Sequence, residues 1–248
     1  MIGSEDKRLR PQVNTGSTSL SSLTLTDNLG TYGIGTAGTT VTPLTYVENS
    51  VRYFVNGVLQ TNPTVTVGGD GTMTITGLNV PAGGNVILAY SATANEYAPL
   101  GADAQINNVV SVTGTGLAEA VVASDSIAVD DAAALTVTKS VSPLTVVGEG
   151  PLTYTFVIQN RGTTAVTTAD NTVLTDTFNP ALNITEVTFN GADWAETTNY
   201  TYDQGSGLFT TVANQITVPA ASYTQDATTG VWSITPGTST LTVTGTIA

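Results

Sequence analysis

Leu135-Thr-Val-Thr-Lys139-Ser-Val141 decides the fold class. At every second position it sets Leu135, Val137, Lys139 and Val141 on one face and Thr136, Thr138 and Ser140 on the other, which is the period of a half-buried strand. Two further runs behave alike: Leu174, Asp176 and Phe178, and Ile106, Asn108, Val110 and Val112. A lysine, an acid and an asparagine are thereby predicted to face a core. An inward lysine is costly unless paired or neutralised, and this trio is what a self-forming Lys–Asn isopeptide crosslink requires.

Short runs of this kind recur along the chain. Leu23–Leu29, Val51–Leu59, Thr64–Val67, Thr72–Thr76, Val86–Ala94 and Ile106–Thr113 read as strands, with turns at Asn56-Gly57 and Gly69–Gly71. Leu117–Val129 is open to helix or strand, and its alternation at Ser126–Val129 favours strand. A second series follows at Leu135–Val141, Leu152–Gln159, Thr172–Phe178, Glu186–Asn190, Gln215–Val218, Val231–Ile234 and Thr240–Ile247. At 248 residues and 40% hydrophobic content the chain can bury two cores of sandwich size. The expectation is an all-β protein with two β-sandwich domains in tandem. Residues 1–22 form a flexible N-terminal arm and possible donor strand, 23–129 the first sandwich, 130–134 a linker and 135–248 the second.

Charge and missing residue types exclude several functions. The formal net charge is −13, and the six basic residues are Lys7, Arg8, Arg10, Arg52, Lys139 and Arg161. That balance repels phosphate backbones, so a nucleic-acid partner is not expected. The chain has no cysteine and no histidine, which removes disulfides, thiolate sites and the usual general base. With no convergent set of polar residues besides, it does not read as an enzyme and calls for no cofactor. No apolar run reaches the roughly 18 residues that a membrane span needs. Met1–Gln12 is charged and polar, with no recognisable signal peptide.

The two strand series repeat each other. Leu23-Thr-Leu-Thr-Asp27 echoes Val173-Leu-Thr-Asp176, Val51–Gly57 echoes Val187–Gly191, and Thr72–Leu88 echoes Gly230–Val243. Copy one has no counterpart of Leu135–Asn160, and copy two has none of Ile106–Val129. The first sandwich is therefore expected to lack opening strands and the second to lack closing strands. Such edges aggregate or recruit a strand from elsewhere. Repair by another copy is a heterologous contact that generates a filament if its rotation does not close. The arm offers a donor, since Gln12-Val13-Asn14-Thr15 resembles Gln105-Ile106-Asn107-Asn108.

Val137-Thr-Lys139-Ser, Leu152-Thr-Tyr154-Thr-Phe-Val-Ile-Gln-Asn160, Leu174-Thr-Asp176-Thr-Phe and Ile106-Asn-Asn108-Val-Val-Ser-Val112 resemble the conserved-repeat domain of bacterial and archaeal surface proteins. That module is immunoglobulin-like and formally of unknown function. It occurs in tandem in cell-wall proteins, adhesins and filamentous appendages. The resemblance covers most of residues 23–248 and extends to endospore-appendage proteins, which are made in the mother cell and need no export signal. It implies an extracellular location on a cell or spore, with copies of the chain itself as partners and a separate surface-anchoring protein unidentified.

The crosslink chemistry follows from residue types. Burial favours the neutral amine and the neutral acid. The amine attacks the asparagine carbonyl, a neighbouring acid handles the proton, and ammonia leaves. The amide would act on the unfolded chain much as a disulfide does, by about 2–4 kcal/mol for a long loop. Lys7 and Lys139 are the only lysines. Lys139 and Asp176 lack an asparagine, which Asn14 can supply; Asp27 and Asn108 lack a lysine, which Lys7 can supply. The alternative is an ion pair of Lys139 with Asp176 at the sheet margin, the lysine head in water.

Other signals are weaker. Asp125, Asp130 and Asp131 are oxygen ligands that calcium can use, but their spacing fits no fixed loop pattern. Asn183-Ile-Thr185 and Asn199-Tyr-Thr201 fit the glycosylation pattern, which matters only in a secretory route. Trp194, Tyr200, Tyr202 and Phe209 suit either core packing or the stacking of a sugar. Two functions stay open: a subunit polymerising head to tail into a surface or spore-appendage fibre, and a monomeric adhesin stalk or carbohydrate-binding module.

Overall fold

The computed structural model describes residues 5–8, 12–35, 38–148 and 150–248. They form two compact units: the described residues up to Asp130 with Thr224–Ser233, and Asp131–Tyr223 with Ile234–Ala248. The change of unit at Asp130 falls inside the stretch read as a linker. The grouping of Thr224–Ser233 with the first unit has no signal in the sequence pattern.

The strands of the first unit up to Asp130 are, among the described residues, β1 (Glu5–Arg8), β2 (Gln12–Val13), β3 (Leu20–Asp27), β4 (Tyr32–Ile34), β5 (Thr39–Val41), β6 (Leu44–Tyr46), β7 (Arg52–Val55), β8 (Val58–Leu59), β9 (Thr64–Val67), β10 (Met73–Val80), β11 (Asn85–Ala94), β12 (Gln105–Thr113) and β13 (Val121–Ala128). One sheet runs β13-β12-β3-β10-β9. The other is centred on β11, with β1 and β2 along one side, β6 and β7 along the other, and β8 beyond β7. Strict alternation makes the core, with Leu23, Leu25, Met73 and Ile75 meeting Val86, Leu88 and Tyr90 across the sandwich. The Asn56-Gly57 pair has both residues at positive φ, 48° and 79°, and so turns β7 into β8 as a two-residue hairpin must.

The second unit consists of β14 (Leu135–Ser142), β15 (Leu152–Asn160), β16 (Thr175–Thr177), β17 (Leu182–Phe189), β18 (Ala192–Asp193), β19 (Tyr200–Asp203), β20 (Leu208–Thr211), β21 (Ser222–Gln225), β22 (Trp232–Thr235) and β23 (Gly237–Ile247), the β21–β22 hairpin tip belonging to the first unit. A five-stranded sheet of order β14-β15-β23-β17-β18 faces a three-stranded sheet of order β16-β20-β19. Phe156, Ile158, Leu241 and Val243 meet Phe178, Phe209 and Val218 between them. The molecule is all-β and antiparallel, as immunoglobulin-like sandwiches require.

Two features differ from the sequence reading. The arm was expected to be flexible, yet Glu5–Arg8 and Gln12–Val13 lie as strands along β11. They stand at the edge where opening strands were expected to be missing. The Leu135–Val141 row is not buried: Val137 is 57% exposed. β14 ends a five-stranded sheet opposite a three-stranded one, so alternation finds its inner face but no layer covers it.

Candidate functional site

In the first unit the chemistry collects where β3 meets β12 across from β11. Asp27, the last residue of β3, is fully buried. It pairs in register with Val110, so Asn108, two residues away on β12, shares its face. The Asn108 amide donates to Asp27 Oδ2 at 3.4 Å, and the Tyr90 hydroxyl donates to the same oxygen from β11. Asp27 Oδ1 accepts the Leu29 amide at 2.7 Å. That bond fastens a tight turn in which a buried leucine is held at a φ of 47°, a conformation unusual for a branched side chain. Burial and the Asp27 charge push the Tyr90 hydroxyl far above its usual range, so it remains a proton donor. Among the described residues, Asn108 Oδ1 is buried with no hydrogen-bond partner. Lys7, on β1, stands in register opposite Tyr90.

Tyr90 is the residue that sequence reasoning missed. It lies on the buried row Val86, Leu88, Tyr90, Ala92, and a buried tyrosine hydroxyl needs an acceptor. That requirement was the available signal for Asp27.

The second unit holds half of this arrangement. Lys139 Nζ bonds Asp176 Oδ2, with side chains 37% and 19% exposed. The amine lies over three rings, 4.6 Å from the Tyr154 centroid, 5.2 Å from Phe178 and 5.7 Å from Phe156, where ring quadrupoles attract a cation. β16, which carries Asp176, pairs with β20 on one side. Its counterpart β3 has β10 on one side and β12, with Asn108, on the other. Among the described residues, the place that β12 fills in the first unit is thus open beside β16.

Asn14 is buried in the first unit, donating to Thr18 O at 2.8 Å and Val80 O at 3.3 Å and accepting from the Gly16 amide at 3.0 Å. Asp125 accepts the Ser126 amide, and Asp131 accepts the Thr163 and Thr164 hydroxyls, which hold its carboxyl below the usual range. Among the described residues no three acidic side chains are grouped to hold a metal ion.

The aromatic cluster is largely core. Phe209 is fully buried and stacks on Tyr200 at 5.1 Å, while Trp194 stacks on Phe189 at 4.8 Å. Both glycosylation-pattern asparagines use their side chains locally, Asn183 accepting from Gln204 and Asn199 donating to Gln215. Among the described residues no helix is long and apolar enough to cross a membrane.

No family model matches the chain, and no curated protein does. Among solved structures, the pilus adhesin SpaC from Lactobacillus rhamnosus GG in its open conformation aligns over 88% of this chain and 25% of its own, at 16% identity and a TM-score of 0.32. A second SpaC structure gives 88% and 26%, at 16% identity and 0.31. Murine CEACAM1b gives 85% of each chain, at 10% identity and 0.20. The chain spans about a quarter of the length of the adhesin it matches.

Proposed function

We propose that this protein is a structural subunit of an extracellular filament, a cell-surface or spore appendage, assembled head to tail as one copy adds a strand along β16 of the next. The observation that carries this reading is the contrast between two counterpart strands. Among the described residues β3 is paired on both sides, and β16 on one. An open strand edge beside apolar surface is a template for strand addition, and Leu135, Val137 and Val173 are exposed in this unit. An incoming strand that brings an asparagine beside Lys139 and Asp176 completes the crosslinking trio, and the resulting amide locks one subunit to the next. On this reading the chain acts on no external substrate and needs no cofactor.

Negative-stain electron microscopy of the purified protein tests it. Long unbranched fibres are expected, and fibres that survive boiling detergent carry the intersubunit lock. Discrete particles at all concentrations would overturn assembly in favour of a monomeric adhesin stalk. Fibres that fall to monomer in detergent would leave assembly standing and remove the lock.

A further inference from the structure

We infer that the first unit is an autocatalytic modification site, in which Lys7 on β1 becomes joined through an isopeptide bond to Asn108 on β12, with Asp27 as the proton carrier. Three observations converge on it. Asp27 and Asn108 are buried side by side, the amide of one on the carboxylate of the other at 3.4 Å. Among the described residues the Asn108 carbonyl oxygen has no partner in that interior, a condition that native cores avoid and that calls for an explanation, a reacting role among them. The β1–β11 register sets residue 7 opposite Tyr90, whose hydroxyl already reaches Asp27 from the same sheet; directly opposite residues of an antiparallel pair share a face. In the second unit too a lysine of one sheet, Lys139, reaches an acid of the facing sheet, Asp176.

The step balances without an oxidant or a co-reactant. The lysine ammonium gives a proton to the Asp27 carboxylate, and the neutral amine attacks Asn108 Cγ. Asp27 returns that proton to the departing nitrogen and takes up the surplus proton of the attacking nitrogen; the Cγ–Nδ2 bond breaks as the new C–N bond closes, and the departing ammonia carries that second proton away as ammonium. The product ties the arm to the last strand pair of the first unit. It needs no second copy of the chain, so it stands apart from the assembly reading.

Intact-mass spectrometry of the full chain, isolated as monomer, tests it. The expected mass lies about 17 Da below the sequence value, with a branched peptide joining residues 7 and 108. Lys7→Arg keeps the charge and removes the nucleophilic amine, and it should restore the sequence mass, as should Asp27→Ala. Lys139→Arg should leave the loss in place. A folded wild-type chain at its full sequence mass, or a loss that persists in Lys7→Arg, would overturn the proposal. Microscopy of Lys7→Arg scores assembly separately, since fibres without the mass loss and the mass loss without fibres are distinct results.

Discussion

Tyr90 carries the clearest consequence at the scale of single residues. Its hydroxyl is buried and donates to a buried carboxylate, which holds it protonated far above the usual 10.0. A group whose folded value is raised contributes stability that is complete below the unfolded value and is lost as pH climbs past it. From about pH 10 upward the unfolded chain sheds this proton while the folded chain keeps it, so stability should fall by about 1.4 kcal/mol per pH unit. Urea midpoints measured between pH 9 and pH 11 should show this slope, and Tyr90→Phe should flatten it. An unchanged slope in the variant would assign the effect to other tyrosines.

The same residues show what alternation can and cannot tell. The two-residue period marked the inward face of Asn108, Asp176 and Lys139 alike, because backbone pleat alone decides which side a residue takes. Of the three only Asn108 is buried. Whether a face is covered depends on the width of the opposing sheet, which is a property of the assembled sandwich and has no local signature. Lys139 is therefore an edge residue with its amine over three rings.

Among the elements, the long strands were legible because each pairs strong alternation with flanking turn residues, as at Asn56-Gly57 and Asn190-Gly191. β1 was not, because Glu-Asp-Lys-Arg shows no apolar face. An edge strand can be held by ladder hydrogen bonds without one. The β19–β20 hairpin was also missed, since its strands are four residues each and flank a polar Asp203–Gly207 turn. The open side of β16 makes a prediction at this scale. A synthetic peptide spanning Gln105–Thr113, the sequence that occupies the matching side of β3, should cap growing fibres. Fibre length in micrographs should shorten as peptide is added, while a scrambled peptide should do nothing. Lengths indifferent to the peptide would mean that strand addition occurs at a different edge.

For the whole molecule, the charge of −13 sets the conditions under which the proposed assembly would proceed. Like-charged subunits repel one another until salt screens them, and the Debye length falls from about 30 Å at 0.01 M to about 8 Å at 0.15 M. Light scattering should therefore show fibre growth accelerating with added sodium chloride over that range. A contact driven by opposite charges would slow instead.

The five-stranded sheet of the second unit also has a mechanical property. Leu135 begins β14 at the end of the sheet that holds Asn160 and Gly237, while β23 finishes at Ile247 beside Leu182 at the opposite end. Tension applied through residues 135 and 247 consequently runs along the strands, across hydrogen bonds that lie perpendicular to it. The ladder is loaded in shear, every rung at once. Pulled instead through residues 142 and 152, which sit together at one end, β14 and β15 would unzip rung by rung. Optical-tweezer rupture forces should be markedly higher for the first pair of handles than for the second.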